Sequence, residues 1–339
     1  MKNTVPYRAK HFFVLLWAPL LLLTACDRRK LTYYTESEIS VSVDWSGADL
    51  EADKDYGATL LLYPQDGGTV RTVLMGERGH TTVRLAPGRY DALVFNRSFD
   101  DFGVVAFRGR ESLETLEAYA LKMEARTETR AETRVIVSSP EKLAVGTALN
   151  FEVTEDMLGN YAPATSRTTA CPAEKCQLTL TPLPLTRVVK VELNIKGLNN
   201  VREARCTLQG IPLSRYLYGG RTGSETGGQK FTVTNPTFTP GSQTEGMLTG
   251  TINTFGLEED VPHEVQLEAL LIDGKTVVTQ TLTDVTIRED TDNSGSVVLY
   301  LEANTPEPLP DVKPEGGSDS GFDAEVDGWG DEVNTDIPI

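Results

Sequence analysis

The sequence predicts an all-β protein built from two β-sandwich domains in series. Short runs of alternating apolar and polar residues recur from Ile39 to Glu302, and turn-forming residues separate these runs at short intervals. A single segment has the spacing of an amphipathic helix. Frequent breakers between short strands are typical of sandwiches, in which two sheets pack face to face.

The first domain is predicted over residues 39–140. Its first strand, ISVSVDW, places Ile39, Val41 and Val43 on one face, which is the period of a half-buried strand. Further strands are predicted in the runs TLLLYP, TTVRLAPGRYDALVFN and GVVAFRG. The sequences QDGG and APGR lie among these runs and supply the backbone conformations that hairpin turns need.

One short helix is predicted in this domain, in the segment ESLETLEAYALKMEA. Leu113, Leu116, Ala120 and Met123 recur at helical spacing on one face, and acidic residues fall on another face. We expect the helix to pack across one sheet or against a loop.

A change to mixed composition indicates a boundary region, which we assign to residues 141–172. The second domain, residues 173–303, repeats the strand pattern of the first in runs that begin with CQLTLTPL and end with GSVVLYLEA. Asp273-Gly274 lies between two apolar runs, and this dipeptide predicts a β-hairpin.

Residues 304–339 form an acidic tail rich in proline and glycine. These 36 residues contain ten acidic residues, one lysine and five prolines, which is too little apolar surface to offset the entropy of ordering. Residues 304 to about 320 are therefore predicted to be a disordered linker. The last part places Trp329 among acidic residues, so two interpretations stay open: an unstructured tail, or a docking peptide or added strand.

The N-terminal segment has the build of a secretory signal peptide. Residues 1–25 combine a basic leader with an apolar stretch that is shorter than the about 20 residues a membrane-spanning helix needs. The segment ends in Leu-Thr-Ala-Cys, which resembles the lipobox of bacterial lipoproteins, whose cysteine is acylated and becomes the mature N-terminus. Cys26 is thus the predicted lipidation site, residues 26–38 are the predicted anchor and spacer, and membrane lipid is a predicted partner. The alternative is that Cys26 is simply the first cysteine of a secreted protein.

The charge balance argues against nucleic acid as a partner. The sequence has 32 basic and 49 acidic residues, and the signal peptide contains three of the basic ones, so the mature chain has 29 against 49 and a net charge of −20. Binding to nucleic acid needs clustered positive charge. Arg28, Arg29 and Lys30 are a local exception beside the anchor, where they either touch anionic lipid headgroups or form a solvated spacer.

The sequence contains no recognisable catalytic constellation, and we predict that the protein is not an enzyme and needs no cofactor or metal. Outside the signal peptide, His80 and His263 are the two histidines, and no serine lies in a Gly-x-Ser-x-Gly motif. The run DTDNSG resembles the start of a calcium-binding EF-hand loop, but its twelfth position is Leu301 rather than glutamate. An acidic hairpin turn is the preferred interpretation of this run.

Three cysteines follow Cys26. Cys171 and Cys176 have a spacing that either allows a small disulfide loop in an oxidising compartment or leaves two free thiols. They lack the second pair of ligands that a zinc site requires. Cys206 alternates with apolar neighbours in EARCTLQG and is predicted to be a buried apolar residue.

One cluster suggests ligand binding. Tyr216, Tyr218 and Arg221 lie beside the glycine-rich run YGGRTGSETGGQK. Aromatic and charged side chains on a loop are typical of a carbohydrate-binding or other ligand-binding site, so these three residues are a candidate ligand loop. The glycine-rich run is otherwise interpreted as a flexible connection between strands.

Several stretches carry a resemblance to known lipoproteins. Asp44-Trp45, LLLYPQDGGTV and LAPGRYDALVFN are similar to segments of lipoproteins from Gram-negative anaerobes of the gut and mouth. LQGIPLSRYLYGGRTG and LTGTINTFGLEEDVPHEVQLEALLIDGKTV resemble the C-terminal domain of fimbrillin-associated anchor lipoproteins, which are minor accessory proteins of fimbriae. The chain departs from that family in its acidic tail and in lacking an acidic run directly after Cys26.

This resemblance implies two tandem transthyretin-like, Greek-key β-sandwich domains and a lipid-anchored location at the outer membrane, on its periplasmic or surface face. It also implies a structural role as an anchor or assembly factor for fimbria-like polymers, with fimbrillin-like subunits as partners, and it transfers no functional residue. The competing hypothesis is a tethered lipoprotein that binds a glycan or another ligand. Neighbouring genes for fimbrillins would favour the first hypothesis, and genes for glycan import the second.

Overall fold

The computed structural model describes residues 33–50, 57–123, 135–160, 175–257, 262–291 and 297–314. Cys26, Cys171 and residues 315–339 lie outside these ranges. The regular structure consists of strands and three short 3₁₀ helices at Phe99–Asp101, Glu155–Leu158 and Leu198–Asn200. The predicted all-β class is therefore confirmed.

The strands of the first half and of the connecting segments are β1 Ser37–Val43, β2 Ala58–Pro64, β3 Arg71–Met75, β4 His80–Leu85, β5 Gly88–Asn96, β6 Val105–Arg108, β7 Glu117–Ala120, β8 Ile136–Ser138, β9 Ala144–Val153, β10 Gln177–Leu180 and β11 Leu183–Pro184. Those of the second half are β12 Arg187–Lys196, β13 Val201–Pro212, β14 Ser214–Tyr216, β15 Thr226–Val233, β16 Asn235–Phe238, β17 Glu245–Thr254, β18 Val265–Leu271, β19 Val277–Thr281, β20 Thr283–Thr291 and β21 Val297–Asn304.

The first sandwich packs a three-stranded sheet, β10-β1-β4, on a five-stranded sheet, β11-β9-β5-β2-β3. Ile39 and Val41 of β1 contribute to a core shared with Leu60 and Leu62 of β2. Alternate residues of a strand point to opposite faces, so Leu61 points away from this core and joins a second one. The run TLLLYP is buried from Thr59 to Tyr63 because its sheet is covered on both faces.

The second sandwich pairs the sheets β16-β17-β12-β21-β20 and β19-β18-β13-β15-β8. A small sheet, β14-β7-β6, pairs two strands of the first half, β6 and β7, with β14 of the second half. Phe107 of this small sheet belongs to one continuous apolar cluster that also contains Phe95 of the first sandwich and Val191 of the second. Each half therefore buries part of its apolar surface against the other.

The prediction of a helix in ESLETLEAYALKMEA is wrong. Leu113 and Leu116 are buried, but the chain forms a turn and then β7, which pairs with β6 and β14. The register sets Arg108 opposite Glu117, and these side chains form an ion pair of 2.6 Å. Strand pairing and this ion pair outweigh the local helical spacing, which is a weak preference when tertiary contacts compete.

The sheets do not follow the domain limits predicted from composition. Residues 144–153, within the predicted boundary region, form β9, which pairs with β5 of the first sandwich. β10 and β11, which the prediction assigned to the second domain, pair with β1 and β9. β8 instead pairs in parallel with β15 of the second sandwich. Pairing between segments distant in sequence leaves no trace in local composition, which explains the difference.

The start of the acidic tail is ordered, contrary to the prediction of a linker from residue 304. The backbone N–H of Leu309 donates to the carbonyl of Lys196 at 2.8 Å, and the amide of Asn200 donates to Asp311 at 2.8 Å. Leu309 is buried and packs over Gly197, where an added Cβ would lie 2.8 Å from the Leu309 carbonyl oxygen. A single apolar side chain and a few hydrogen bonds are enough to fix this segment. The acidic average composition of residues 304–339 gives no sign of these contacts.

Replacing Leu309 by alanine should therefore lower the free energy of unfolding by about 2 kcal/mol, the lower part of the range for a buried leucine. Chemical denaturation of the mature chain measures this change. Pro310→Ala is the matched control, because Pro310 is exposed, and it should change stability by no more than about 0.5 kcal/mol. Equal stability of the two variants would contradict the docking of the tail.

Candidate functional site

The loop predicted as a ligand site folds into a tight turn that brings two of its three residues together. The Cζ atom of Arg221 lies 3.9 Å from the ring centre of Tyr216, and the Tyr216 N–H donates to the Arg221 carbonyl at 2.8 Å. Gly219 and Gly220 have φ values of 73° and 63°, which let the chain reverse there. Tyr218 is instead half-buried against the apolar core.

Arg215 fixes this turn from its inner side. Its Nε donates to the carbonyl of Gly220 at 2.6 Å, and its Nη1 donates to the carbonyls of Leu185 at 2.6 Å and Phe255 at 3.1 Å. Burial, with a smaller contribution from the charge of Arg187, lowers the pKa of Arg215. The guanidinium thus joins three chain segments and serves the fold.

Glu117 holds the small central sheet to the same loop. Its carboxylate accepts hydrogen bonds from Arg108 Nε at 2.6 Å and from Ser214 Oγ at 2.5 Å. Gly223 lies against this pair, and an added Cβ there would meet Ser214 Oγ. The Arg108 guanidinium also lies 5.3 Å from the ring centre of Tyr119. The acidic group is therefore already paired inside the protein.

Replacing Glu117 by glutamine should lower the free energy of unfolding by about 1.5–3 kcal/mol, because Arg108 and Ser214 lose their charged hydrogen-bond acceptor. Burial opposes ionisation of Glu117, but the bonds from Arg108 and Ser214 outweigh it and lower the pKa below the ordinary 4.5. Its stabilising contribution is thus present at neutral pH and is lost as the pH falls below 4.5 through the folded-state pKa.

Denaturation of the parent and the Glu117→Gln variant at several pH values measures this effect. The stability difference should shrink as the pH falls below the folded-state pKa. Glu114→Gln, an exposed change in the turn before β7, should shift stability by at most about 0.5 kcal/mol. A pH-independent difference for Glu117→Gln would contradict the assigned role.

The two histidines and Cys206 lie in ordinary structural positions. His80 is exposed at the start of β4, and His263 is half-buried with its Nδ1 3.1 Å from the Gln209 carbonyl oxygen. Cys206 is a free, buried thiol, as predicted, and burial raises its pKa to about 12. A thiol protonated at neutral pH is a poor nucleophile. Among the described residues, no three His, Cys, Asp or Glu side chains are arranged to hold a metal ion.

The predicted lipidation site and one predicted disulfide partner, Cys26 and Cys171, lie outside the described residues. Cys176 is buried and disulfide-bonded, and Ser37 Oγ lies 3.6 Å from its sulfur. The pairing of Cys171 with Cys176 stays a prediction. Within the described ranges, no helix is long and apolar enough to cross a membrane.

A cleft of about 730 Å³ opens beside the first described residues. Tyr33 and Tyr34 form one rim, and polar side chains that include Glu36, Arg84 and Gln177 line it. The tyrosines are 66% and 42% exposed. This surface lies at the end of the first sandwich where β1 begins.

Sheet edges offer a second kind of site, since their unpaired backbone groups can pair with another chain. Nine of the ten edge strands in the described sheets carry a feature that discourages this. β6, β8, β10, β11, β14 and β16 have four residues or fewer. β3, β4 and β20 contain charged side chains, among them Arg71, Arg84 and Arg288.

β19 is the exception among the edges of the described sheets. Its five residues, VVTQT, include no charge and no proline, and Val277 is 56% exposed. Leu271 N–H donates to the Thr276 carbonyl, and Leu282 N–H donates to the Val265 carbonyl, which fixes the alternation of the β18–β19 ladder. The backbone groups of Val277, Thr279 and Thr281 therefore point away from β18.

Among the described residues, no backbone group pairs with this outer side of β19. The strand thus presents an unprotected edge of the second sandwich. Sequence reasoning predicted the strand but not its position, because only the sheet order shows which strand is last. The sequence does show that VVTQT has no charged residue. This feature identifies β19 as an unprotected edge only once the strand order is known.

Comparison with known proteins identifies related sequences. The model of the family described as a domain of unknown function (DUF5119) matches residues 25–231. Over 121 residues the chain is 33% identical to the "Putative fimbrium anchoring subunit Fim4B" of Bacteroides ovatus, a match that spans 35% of this chain and 33% of that protein. The chain thus aligns with about a third of the length of this curated relative. The resemblance to fimbrial anchor proteins predicted from the sequence is confirmed.

One solved structure shares the architecture. A "putative adhesin" from Bacteroides ovatus has a TM-score of 0.52 at 17% identity, over 84% of this chain and 99% of that chain. This similarity supports the fold. The fimbrial anchor protein Mfa2 from Porphyromonas gingivalis has a TM-score of 0.38 at 10% identity, over 78% of this chain and 95% of that chain.

Proposed function

This chain belongs to the DUF5119 family, and we propose that it is a structural anchor subunit that attaches a fimbria-like polymer to the cell envelope. Its similarity to a protein named as a fimbrium anchoring subunit supports the polymer as the partner class. The observation that carries the proposal within the molecule is the open edge of β19, which offers backbone pairing to another β-rich subunit.

Strand addition suits this surface. Main-chain hydrogen bonds to Val277, Thr279 and Thr281 supply affinity, and alternate side chains of the added strand supply specificity. Because β19 carries no charge, its edge repels neither an acidic nor a basic strand. The partner is a fimbrillin-like subunit that contributes an extended segment.

The proposed attachment to the membrane is based on the lipobox-like sequence that ends at Cys26. Two or more acyl chains give firm attachment, since each buried CH₂ contributes about 0.8 kcal/mol. The protein is accordingly a lipoprotein of the outer membrane that has lost residues 1–25. Its function needs one attachment point on the membrane and one on the polymer, and no chemical reaction.

Binding of a glycan or another ligand is the competing function, and Tyr216 and Arg221 are its candidate residues. The Arg221 guanidinium lies over the Tyr216 ring at 3.9 Å, so it already occupies a ring face that a sugar would stack on. Tyr218 is half-buried and packs against the core. The geometry therefore favours the anchor function.

Deletion of the gene in its native host tests the proposal. Fimbria-like subunits should still be made, but they should be shed into the medium or form fibres of altered length. A strain complemented with the parent gene is the control. Fibres of normal length that remain on the deletion strain would overturn the anchor function and leave ligand binding as the better account.

A further inference from the structure

Hydrogen bonds fix the chain to the first sandwich at Tyr34, shortly after the predicted lipidation site Cys26. The backbone N–H of Tyr34 donates to Asn160 Oδ1 at 2.8 Å, and Asn160 Nδ2 donates back to the Tyr34 carbonyl at 2.8 Å. Three residues further on, the buried Ser37 hydroxyl donates to the Met157 carbonyl at 2.9 Å. These bonds fix residue 34 to the segment that follows β9.

The pinning limits how far the body can move from the membrane. Cys26 and Tyr34 are eight residues apart in the sequence. A fully extended chain spans at most about 3.6 Å per residue, so the tether is no longer than about 29 Å. Tyr34 therefore stays within about 29 Å of the membrane that holds Cys26, so the end of the first sandwich that carries Tyr34 lies near the bilayer.

The surface at that end has the character of a membrane interface. Tyr33 and Tyr34 expose 66% and 42% of their area, and tyrosine favours the headgroup layer because its ring is apolar and its hydroxyl is polar. The adjacent cleft is polar, which suits headgroups rather than acyl chains. Glu36 and Glu38 are exposed beside the tyrosines and keep the contact shallow.

We propose that Tyr33, Tyr34 and the rim of the adjacent cleft rest on the headgroup layer of the membrane that holds Cys26. The inference rests on the lipid attachment in the proposed function. It sets the orientation of the molecule: the start of β1 faces the bilayer, and the chain enters the second sandwich from the opposite end, where Pro184 pairs with Ala144. The surface is thus a second, membrane-bound interface, separate from β19.

The test uses the acylated full chain, purified from native membranes and reconstituted in phosphatidylethanolamine–phosphatidylglycerol vesicles that contain brominated lipid. Tryptophan is introduced by Tyr33→Trp and, as a matched control, by Leu74→Trp. Leu74 is 67% exposed but pairs with Thr59 at the other end of the first sandwich. The emission of Trp45 and Trp329 is measured in the parent protein and subtracted.

Brominated lipid should quench the added tryptophan at position 33 at least about twofold more than the one at position 74, because quenching by bromine needs close contact. Equal quenching at the two positions, or none at position 33, would overturn the inference even if the protein is bound to the vesicles. Failure of the protein to float with vesicles is a different outcome, since it would refute lipid attachment and the proposed function with it.

Discussion

Changing Cys26 to serine should move the protein from the membrane fraction to the soluble fraction of the cell envelope. A serine cannot form the thioether that holds the acyl chains, and acyl chains contribute about 0.8 kcal/mol for each buried CH₂. Among the described residues, no helix is long and apolar enough to cross a bilayer. Carbonate washing followed by immunoblotting of the two fractions measures the change.

The control for this prediction is Cys206→Ser, which removes a thiol that is buried in the second sandwich. This variant should stay in the membrane fraction, although it is expected to lose some stability. Incorporation of labelled palmitate should occur in the control and be absent in Cys26→Ser. A Cys26→Ser protein that withstands the wash would show that the attachment lies elsewhere.

Changing Thr279 to proline should weaken binding of a fimbria-like subunit at least about fivefold while the fold is kept. The Thr279 N–H points away from β18, so its loss leaves the ladder between β18 and β19 intact. An acceptor on the added strand would then be buried without a donor, at a cost of about 1–3 kcal/mol, and 1.4 kcal/mol is a factor of about ten.

Thr279→Ala is the matched control, because it removes the same side chain but keeps the N–H. It should bind the subunit within about twofold of the parent, as expected if the backbone supplies most of the affinity. Circular dichroism and thermal melting of both variants confirm that they are folded. Equal loss of binding in the two variants would point to side-chain recognition instead of strand pairing.

The local signals in the sequence were sufficient for many of the strands. ISVSVDW alternates as β1 does, and Asp273-Gly274 forms the predicted hairpin between β18 and β19. Gly274 has a φ of 67°, and Asp273 Oδ1 accepts N–H bonds from Lys275 and Thr276. These features depend on residues close in sequence, which is why they are predictable.

The errors share one physical cause. The segment predicted as a helix forms β7 because Glu117 accepts hydrogen bonds from Arg108 and Ser214. Residues 144–153 form β9 because they pair with β5. Leu309 orders the start of the tail by packing over Gly197. In each case at least one deciding partner is distant in sequence, as Ser214 is from Glu117 across 97 positions, and no local pattern reports it.

The candidate sites divide in the same way. Tyr216 and Arg221 were found from residue types, and the structure brings them together, while Tyr218 packs half-buried against the core. The open edge of β19 could not be found from its own residues, since an edge is defined by the order of strands. The hydrogen bonds between Tyr34 and Asn160 likewise join residues that are 126 positions apart in the sequence.

The central claim is that this chain joins a membrane to a fibre, and site-specific photo-crosslinking in living cells tests it most directly. A photoreactive amino acid is placed at Val277 on the open edge or, as a control, at the exposed Leu74 on edge strand β3, which carries Arg71. We predict that Val277 yields a crosslink to a fimbria-like subunit and that Leu74 does not. No crosslink at Val277, or equal crosslinks at both positions, would contradict the account.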